Sequence, residues 1–182
     1  AVSGWTTTGL SVIDVENTPH IYLFWRSLMQ FFGGAGIAVI MLSAIIGPHG
    51  FGLYNAEGRS DKLLPNVVKS TKLILTIYLG FFAAGSILYI IVGMPWFDAV
   101  NHSLAALSTG GFSTRTNSIE AYNNLGIELV TIILMLAGTT NFAAHYLLLR
   151  GKVKRFLRIG EVRFISLLVV VLFPIVTFFS LT

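Results

Sequence analysis

The sequence predicts an all-α membrane protein built from repeated span–loop–span units. Three observations carry this. Of 182 residues, 54% are hydrophobic and only 11% are charged, against roughly 25% charged in an average soluble domain. The apolar runs are about 20 residues long, the length a helix needs to cross a bilayer, and they lack the period-two alternation of a membrane barrel. A Thr-Gly signature occurs twice, each time ahead of a glycine-bearing apolar run. A mean hydropathy of +0.78 argues against both a water-soluble domain and a disordered chain.

The apolar runs, taken in order, are Ile21–Ile46, Leu73–Val92, Leu125–Leu149 and a fourth that starts near Phe164. The chain opens Ala1-Val2-Ser3 and closes within an apolar run, which predicts a piece of a longer membrane protein. Ten of the twelve Lys and Arg residues fall in the connections 47–72 and 150–163. The positive-inside rule places those two connections in the cytoplasm and residues 1–20 and 93–124 outside. Topology therefore accounts for the pI near 9.6, and no nucleic-acid partner is implied. Absent cysteine removes disulfides, thiolate metal sites and Cys nucleophiles. Gly33, Gly34, Gly36 and Gly138 lie mid-span, where small residues let helices approach closely.

The outer connection holds a short apolar helix, Trp96–Leu107, with Pro95 at its start and Asp98 in its first turn, where a carboxylate suits the dipole. It runs into Ser108-Thr109-Gly110-Gly111-Phe112-Ser113-Thr114. The paired glycines stop the helix, so the segment reads as a pore loop that enters the membrane and returns. Such backbone is tolerated at membrane depth only where it is buried in protein or faces a water-filled cavity. Thr7-Thr8-Gly9-Leu10-Ser11 aligns with Thr109-Gly110-Gly111-Phe112-Ser113 at an offset of 102, and Gly34 with Gly138 at 104. The repeat then gives the end of a first unit at 1–46, a full second unit at 73–149 and the start of a third at 164–182. Extended glycine-containing backbone offers carbonyl oxygens that replace the water shell of a monovalent cation. Thr7, Thr8, Gly9, Thr109, Gly110 and Gly111 are the candidate ion-binding residues. Neither loop carries a carboxylate, so a divalent-selective ring is not suggested.

Other polar residues have plainer roles. Arg26 is expected to reach the interface or to pair with Glu16 or Asp14. Asn141 and His145, one turn apart, suit helix–helix hydrogen bonds rather than a metal site. His102 is expected to bond its surroundings, and Glu128 to face the outer water. Asn101-His102-Ser103 has the form of a glycosylation sequon but lies inside the short helix. No phosphate-binding loop, catalytic triad or other enzyme site is visible, and no tightly bound cofactor is implied.

On these residues the sequence resembles the membrane subunit of bacterial potassium uptake systems of the Trk/Ktr type, nearer the Trk (TrkH-like) branch. The matching stretches are Ser3–Gly9, Phe24–Gly36, Asp61–Pro65, Gly110–Thr114 and Asn141–Tyr146. The resemblance implies four span–pore–span repeats around one potassium-channel-like pore, with the filter glycines at Gly9 and Gly111 and K⁺ as the transported ion. It also implies a homodimer in the cell inner membrane and a cytoplasmic nucleotide-binding regulatory subunit (TrkA-like) on the side of the basic loops. Two other readings stay open: a Na⁺-conducting relative, and a non-transporting membrane scaffold whose glycines only pack helices. An intramembrane enzyme would need convergent polar residues that the sequence scarcely offers.

Overall fold

Long apolar runs with few breakers dictate helices, and every regular element among the described residues is helical. The computed structural model describes residues 1–36, 67–140, 142–160, 162–164, 167–168 and 171–172. The elements are α1 (Val2–Trp5), α2 (His20–Ala35), α3 (Val67–Ile91), α4 (Trp96–Leu107), a 3₁₀ turn (Ser118–Tyr122), α5 (Leu125–Thr139), α6 (Phe142–Leu149) and α7 (Val153–Phe156). The chain forms two units, Ala1–Thr139 and Thr140–Thr182.

In the first unit, α4 is the hub. Helices α2, α3 and α5 all pack against it, and nine of its residues are buried, Asp98 to Leu107 with few gaps. Pro95 caps the helix from outside, one position earlier than expected. The core around α4 contains Tyr89, Met94, Ala99, Ala106, Ile127, Val130 and Leu134. The Ser103 hydroxyl donates to the Phe82 carbonyl at 3.0 Å, tying α4 to α3. Tyr89 and Thr131 share a 2.7 Å hydrogen bond between α3 and α5. Asn124 closes the outer connection, donating to the Val92 carbonyl at 3.0 Å and accepting from the Gly126 N–H at 2.8 Å.

Opposite that core, α3 and α5 present large apolar side chains, among them Ile87, Leu88, Ile90, Ile91, Leu129, Ile132 and Ile133. A helix apolar on all sides belongs in lipid or in a large core. The stretch Lys72–Ile91 is 20 residues long and apolar enough to cross a membrane, the one such helix among the described residues.

Two expected spans differ from the structure. The first was expected to run through Ile46, but α2 stops at Ala35 with Gly36 in the left-handed region at φ 59; residues 37–46 lie outside the described part. The third was expected to be continuous from Leu125 to Leu149. It is divided into α5, ending at Thr139, and α6, starting at Phe142. Both stops fall where small and polar residues thin out the apolar run, Gly33-Gly34-Ala35-Gly36 in one case and Gly138-Thr139-Thr140 in the other.

In the second unit, α6 leads through Gly151, at φ 69, into the basic turn α7. The Arg150 guanidinium lies 4.6 Å from the Tyr146 ring centroid. The connection 47–72, expected to be cytoplasmic, and residues 164–182, expected to start a third unit, lie largely outside the described residues.

Candidate functional site

The two Thr-Gly loops have the same backbone. Each follows a helix end: α1 runs into Thr6 at φ −84 and ψ 0, and α4 into Ser108 at φ −81 and ψ −2. Thr7 and Thr109 then sit at φ 53 and 52, and Gly9 and Gly111 at φ 77 and 79. The predicted offset of 102 thus holds at these positions, and α1 corresponds to the last turn of α4. A β-branched residue at positive φ is a rare conformation, costing on the order of 1–3 kcal/mol and clustering at ligand clamps. Here it occurs twice, at equivalent positions. In an extended strand, successive carbonyls point to opposite sides. Left-handed residues at every second position break that alternation.

The hydrogen bonds of the loops run one way. Thr7 N–H donates to the Gly4 carbonyl at 3.1 Å and Thr8 N–H to the Ser3 carbonyl at 3.0 Å. In the second loop, Thr109 N–H donates to Ala106 and Gly110 N–H to Ala105, each at 3.0 Å. The Gly111 N–H meets no acceptor among the described residues, and the Phe112 N–H is taken by the Gln30 side-chain oxygen at 3.1 Å. By contrast, the carbonyls of Thr7, Thr8, Gly9, Thr109, Gly110 and Gly111 accept no hydrogen bond from any described residue. Buried backbone groups are almost always paired. Of the six residues only Gly110 is buried, and the others are half-buried or exposed. The unpaired carbonyls therefore offer oxygens at an accessible surface while most of the loop donors are taken by protein acceptors, an arrangement suited to a cation.

The loops meet. A cleft of about 280 Å³ is lined by Thr7, Thr8, Thr109, Gly110 and Gly111, together with side chains of α3, α4 and α5. Five of the six predicted residues therefore share one cleft. Gly9, the sixth, lies against the second loop: a Cβ there would run into the Gly110 carbonyl oxygen. At Gly111 the same direction is open, with nothing within 4 Å.

The mid-span glycines do a different job. A Cβ on Gly33 would collide with the Trp5 carbonyl, and one on Gly138 with the Leu107 carbonyl. These glycines let each span rest on the last turn of its own short helix. They are the equivalent pair, at an offset of 105; the expected pairing of Gly34 with Gly138 at 104 is corrected by one residue. Gly34 instead meets the second loop, where its Cβ would lie 2.6 Å from Ser108 Cβ.

At the outer end, the Asp98 carboxylate anchors the chain beyond the second loop. It accepts from the Thr114 hydroxyl at 2.6 Å and from Arg115 at 3.2 and 2.9 Å. Burial works to raise the Asp98 pKa, but the Thr114 hydroxyl and the Arg115 guanidinium outweigh it and hold the carboxyl below its ordinary value. His102 bridges the Asp98 carbonyl, at 2.8 Å, and the Ser113 hydroxyl, at 3.0 Å. It bonds its surroundings as expected.

Arg26 departs from its expectation. It pairs with neither Asp14 nor Glu16: its guanidinium donates to the Ser11 hydroxyl at 2.8 Å and stacks 4.3 Å from the Phe112 ring centroid. Asp14 is occupied by Asn17, and Glu16 accepts from Thr116 at 3.0 Å. Arg26 thereby braces both loops from α2. Gln30 is the residue that sequence reasoning missed. Its signal was there to be read, as a lone amide in the apolar middle of a span.

Comparisons with known proteins come from three directions. The family described as "TrkH: Cation transport protein" matches residues 1–182. The Trk system potassium uptake protein TrkG of Escherichia coli K12 is 37% identical over 175 residues, 92% of this chain and 36% of TrkG. The Trk system potassium uptake protein TrkH of the same organism is 34% identical over 157 residues, 82% of this chain and 32% of that protein. The crystal structure of the potassium transporter TrkH from Vibrio parahaemolyticus superposes with a TM-score of 0.79 at 30% identity, covering 95% of this chain and 36% of that one. The chain thus spans about a third of the length of these relatives.

Proposed function

Because this chain belongs to the TrkH family of cation transport proteins, we propose that it supplies two of the filter loops of a potassium uptake pore. The observation that carries this reading is the row of open carbonyls on two loops of equal backbone that share one cleft. A cation entering from outside sheds water and takes carbonyl oxygens in exchange. Thr7, Thr8, Gly9, Thr109, Gly110 and Gly111 provide them, with the threonine hydroxyls as further ligands. The C-terminal end of α4 adds partial negative charge on the same side. Two further loops, from repeats beyond this chain, complete the ring.

The relatives bear names of potassium uptake proteins. Ions run down their electrochemical gradient, and gating acts from the cytoplasmic side. The basic connections 47–72 and 150–163 face the cytoplasm by the positive-inside rule. There they meet a TrkA-like nucleotide-binding regulatory subunit. The subunit is a multi-pass protein of the cell inner membrane and works as a homodimer.

The test is flux in liposomes with the full-length protein. Wild type is expected to carry K⁺ and Rb⁺ in preference to Na⁺, and Gly111→Ser to admit Na⁺ or stop flux. If the substitution changes neither rate nor selectivity in a folded protein, the glycines only pack helices and the scaffold reading takes over.

A further inference from the structure

Resting on that filter reading, we propose that Gln30, on the span of the first repeat, is a positioning residue that fixes the direction of the Gly111 carbonyl in the second. The argument starts from the peptide unit. Gly111 C=O and Phe112 N–H belong to one planar trans peptide, so they point in opposite directions. The Gln30 side-chain oxygen holds the Phe112 N–H at 3.1 Å. While that bond stands, the Gly111 carbonyl must point away from Gln30.

Nothing else among the described residues performs this task. Gly111 sits at φ 79 with open space on its Cα, so the peptide on either side of it is free to rotate unless it is anchored. Two donors of the loop are anchored to α4 itself, Thr109 to Ala106 and Gly110 to Ala105, and the Gly111 N–H meets no acceptor among the described residues. Only the Phe112 N–H depends on a different repeat. Its amide orientation is determined as well: a backbone donor requires the oxygen of Gln30, not the nitrogen, to face it.

The surroundings are built for this contact. Gln30 is fully buried. A Cβ on Gly110 would collide with the Gln30 side chain, so glycine at 110 is what lets the amide reach past the loop. Phe112 is itself buried, and Arg26, one turn before Gln30, stacks on its ring at 4.3 Å. Phe112 is therefore held by ring and by N–H from the same helix. The equivalent residue of the first loop, Leu10, is held differently, its carbonyl accepting from the Ser3 hydroxyl at 2.7 Å. The two loops have the same backbone and different locks, so the second can be loosened without the first.

The test uses the full-length protein in liposomes, with Rb⁺ and Na⁺ flux read beside thermal stability. Gln30→Met keeps the length and removes the acceptor. It is expected to fold and to lose Rb⁺-over-Na⁺ discrimination by roughly tenfold, the scale of one hydrogen bond lost. Gln30→Glu keeps an acceptor oxygen and is expected to retain most of the selectivity. Gln30→Asn keeps the amide but falls one carbon short; it is expected to behave like Gln30→Met and carries the test if the methionine variant does not fold. Wild-type selectivity in a folded Gln30→Met or Gln30→Asn overturns the proposal. Gly111→Ser is run in parallel. If it alters selectivity while the Gln30 variants do not, the positioning role fails and the filter stands. If it too leaves flux unchanged, the filter reading itself has failed.

Discussion

At the scale of the residue, the glycines of this chain divide by the reason each cannot carry a side chain. Gly9 and Gly111 have left-handed backbone, where an L-residue costs about 1–2 kcal/mol. Gly9 has a second constraint, the Gly110 carbonyl beside its Cα. Gly9→Ala is therefore expected to lower thermal stability and flux more than Gly111→Ala, and side-by-side melting and Rb⁺ uptake would show the order. Asp98 is the other residue with a sharp expectation. Its folded pKa lies below the ordinary 3.8, so its stabilisation is complete at neutral pH and is lost as pH falls through the folded value. Asp98→Asn should lose about 1.5–3 kcal/mol at pH 7, the range for hydrogen bonds to a charged group. It should also show a flatter melting profile below about pH 4 than wild type. Thermal denaturation of both proteins across that window checks the sign. Arg115 is half exposed, so most of the loss belongs to the buried carboxylate and its Thr114 bond.

At the scale of the element, the short helix α4 is defined by what crosses it. Its last turn receives α5 through Gly138, as α1 receives α2 through Gly33. Filling either contact forces the helices apart, and overpacking of this kind costs about 1–3 kcal/mol. Gly138→Ala is thus expected to destabilise. Gly80→Ala is the control: it lies inside α3 with nothing within 4 Å of its Cβ position. There alanine should be neutral or stabilise by up to about 1 kcal/mol, through helix propensity alone. A melting comparison in detergent distinguishes the two; equal shifts would deny that Gly138 is a packing glycine. The sequence grouped all mid-span glycines together. The structure separates Gly33 and Gly138, which seat a span on its own short helix, from Gly34, which meets the next repeat.

At the scale of the whole molecule, the first unit is two repeats joined at their loops. Thr116 reaches Glu16 at 3.0 Å, His20 stacks on Phe97 at 4.3 Å, and Arg26 spans Ser11 and Phe112. These contacts all link the first repeat to the second at or beyond the loops, so loop geometry and fold stability are coupled. An ion bound to the native loops stabilises the fold by mass action, by about 2.7 kcal/mol at a concentration a hundred times its Kd. Melting of the full-length protein is therefore expected to rise in K⁺ or Rb⁺ relative to Na⁺. Gly111→Ser should diminish that difference. Equal melting in all three ions would count against an ion site at the loops.

By itself, the sequence determined what depends on composition and local pattern. Apolar length set the helical membrane class, charge placement set the expected sidedness, and the two Thr-Gly signatures set the position of both loops. Those signals are local because bilayer thickness, loop charge and glycine conformational freedom act on short segments. Only the tertiary structure decided which groups meet. Arg26 had three candidate carboxylates or interfaces and took Ser11 and Phe112 instead, because α2 faces the loops rather than water. The offset between spans shifted by one residue, because helix packing is set by the contact of a glycine with a carbonyl and not by spacing along the chain. Gln30 was invisible as a partner of Phe112, since 82 residues separate them and no local pattern records a hydrogen bond formed across two repeats.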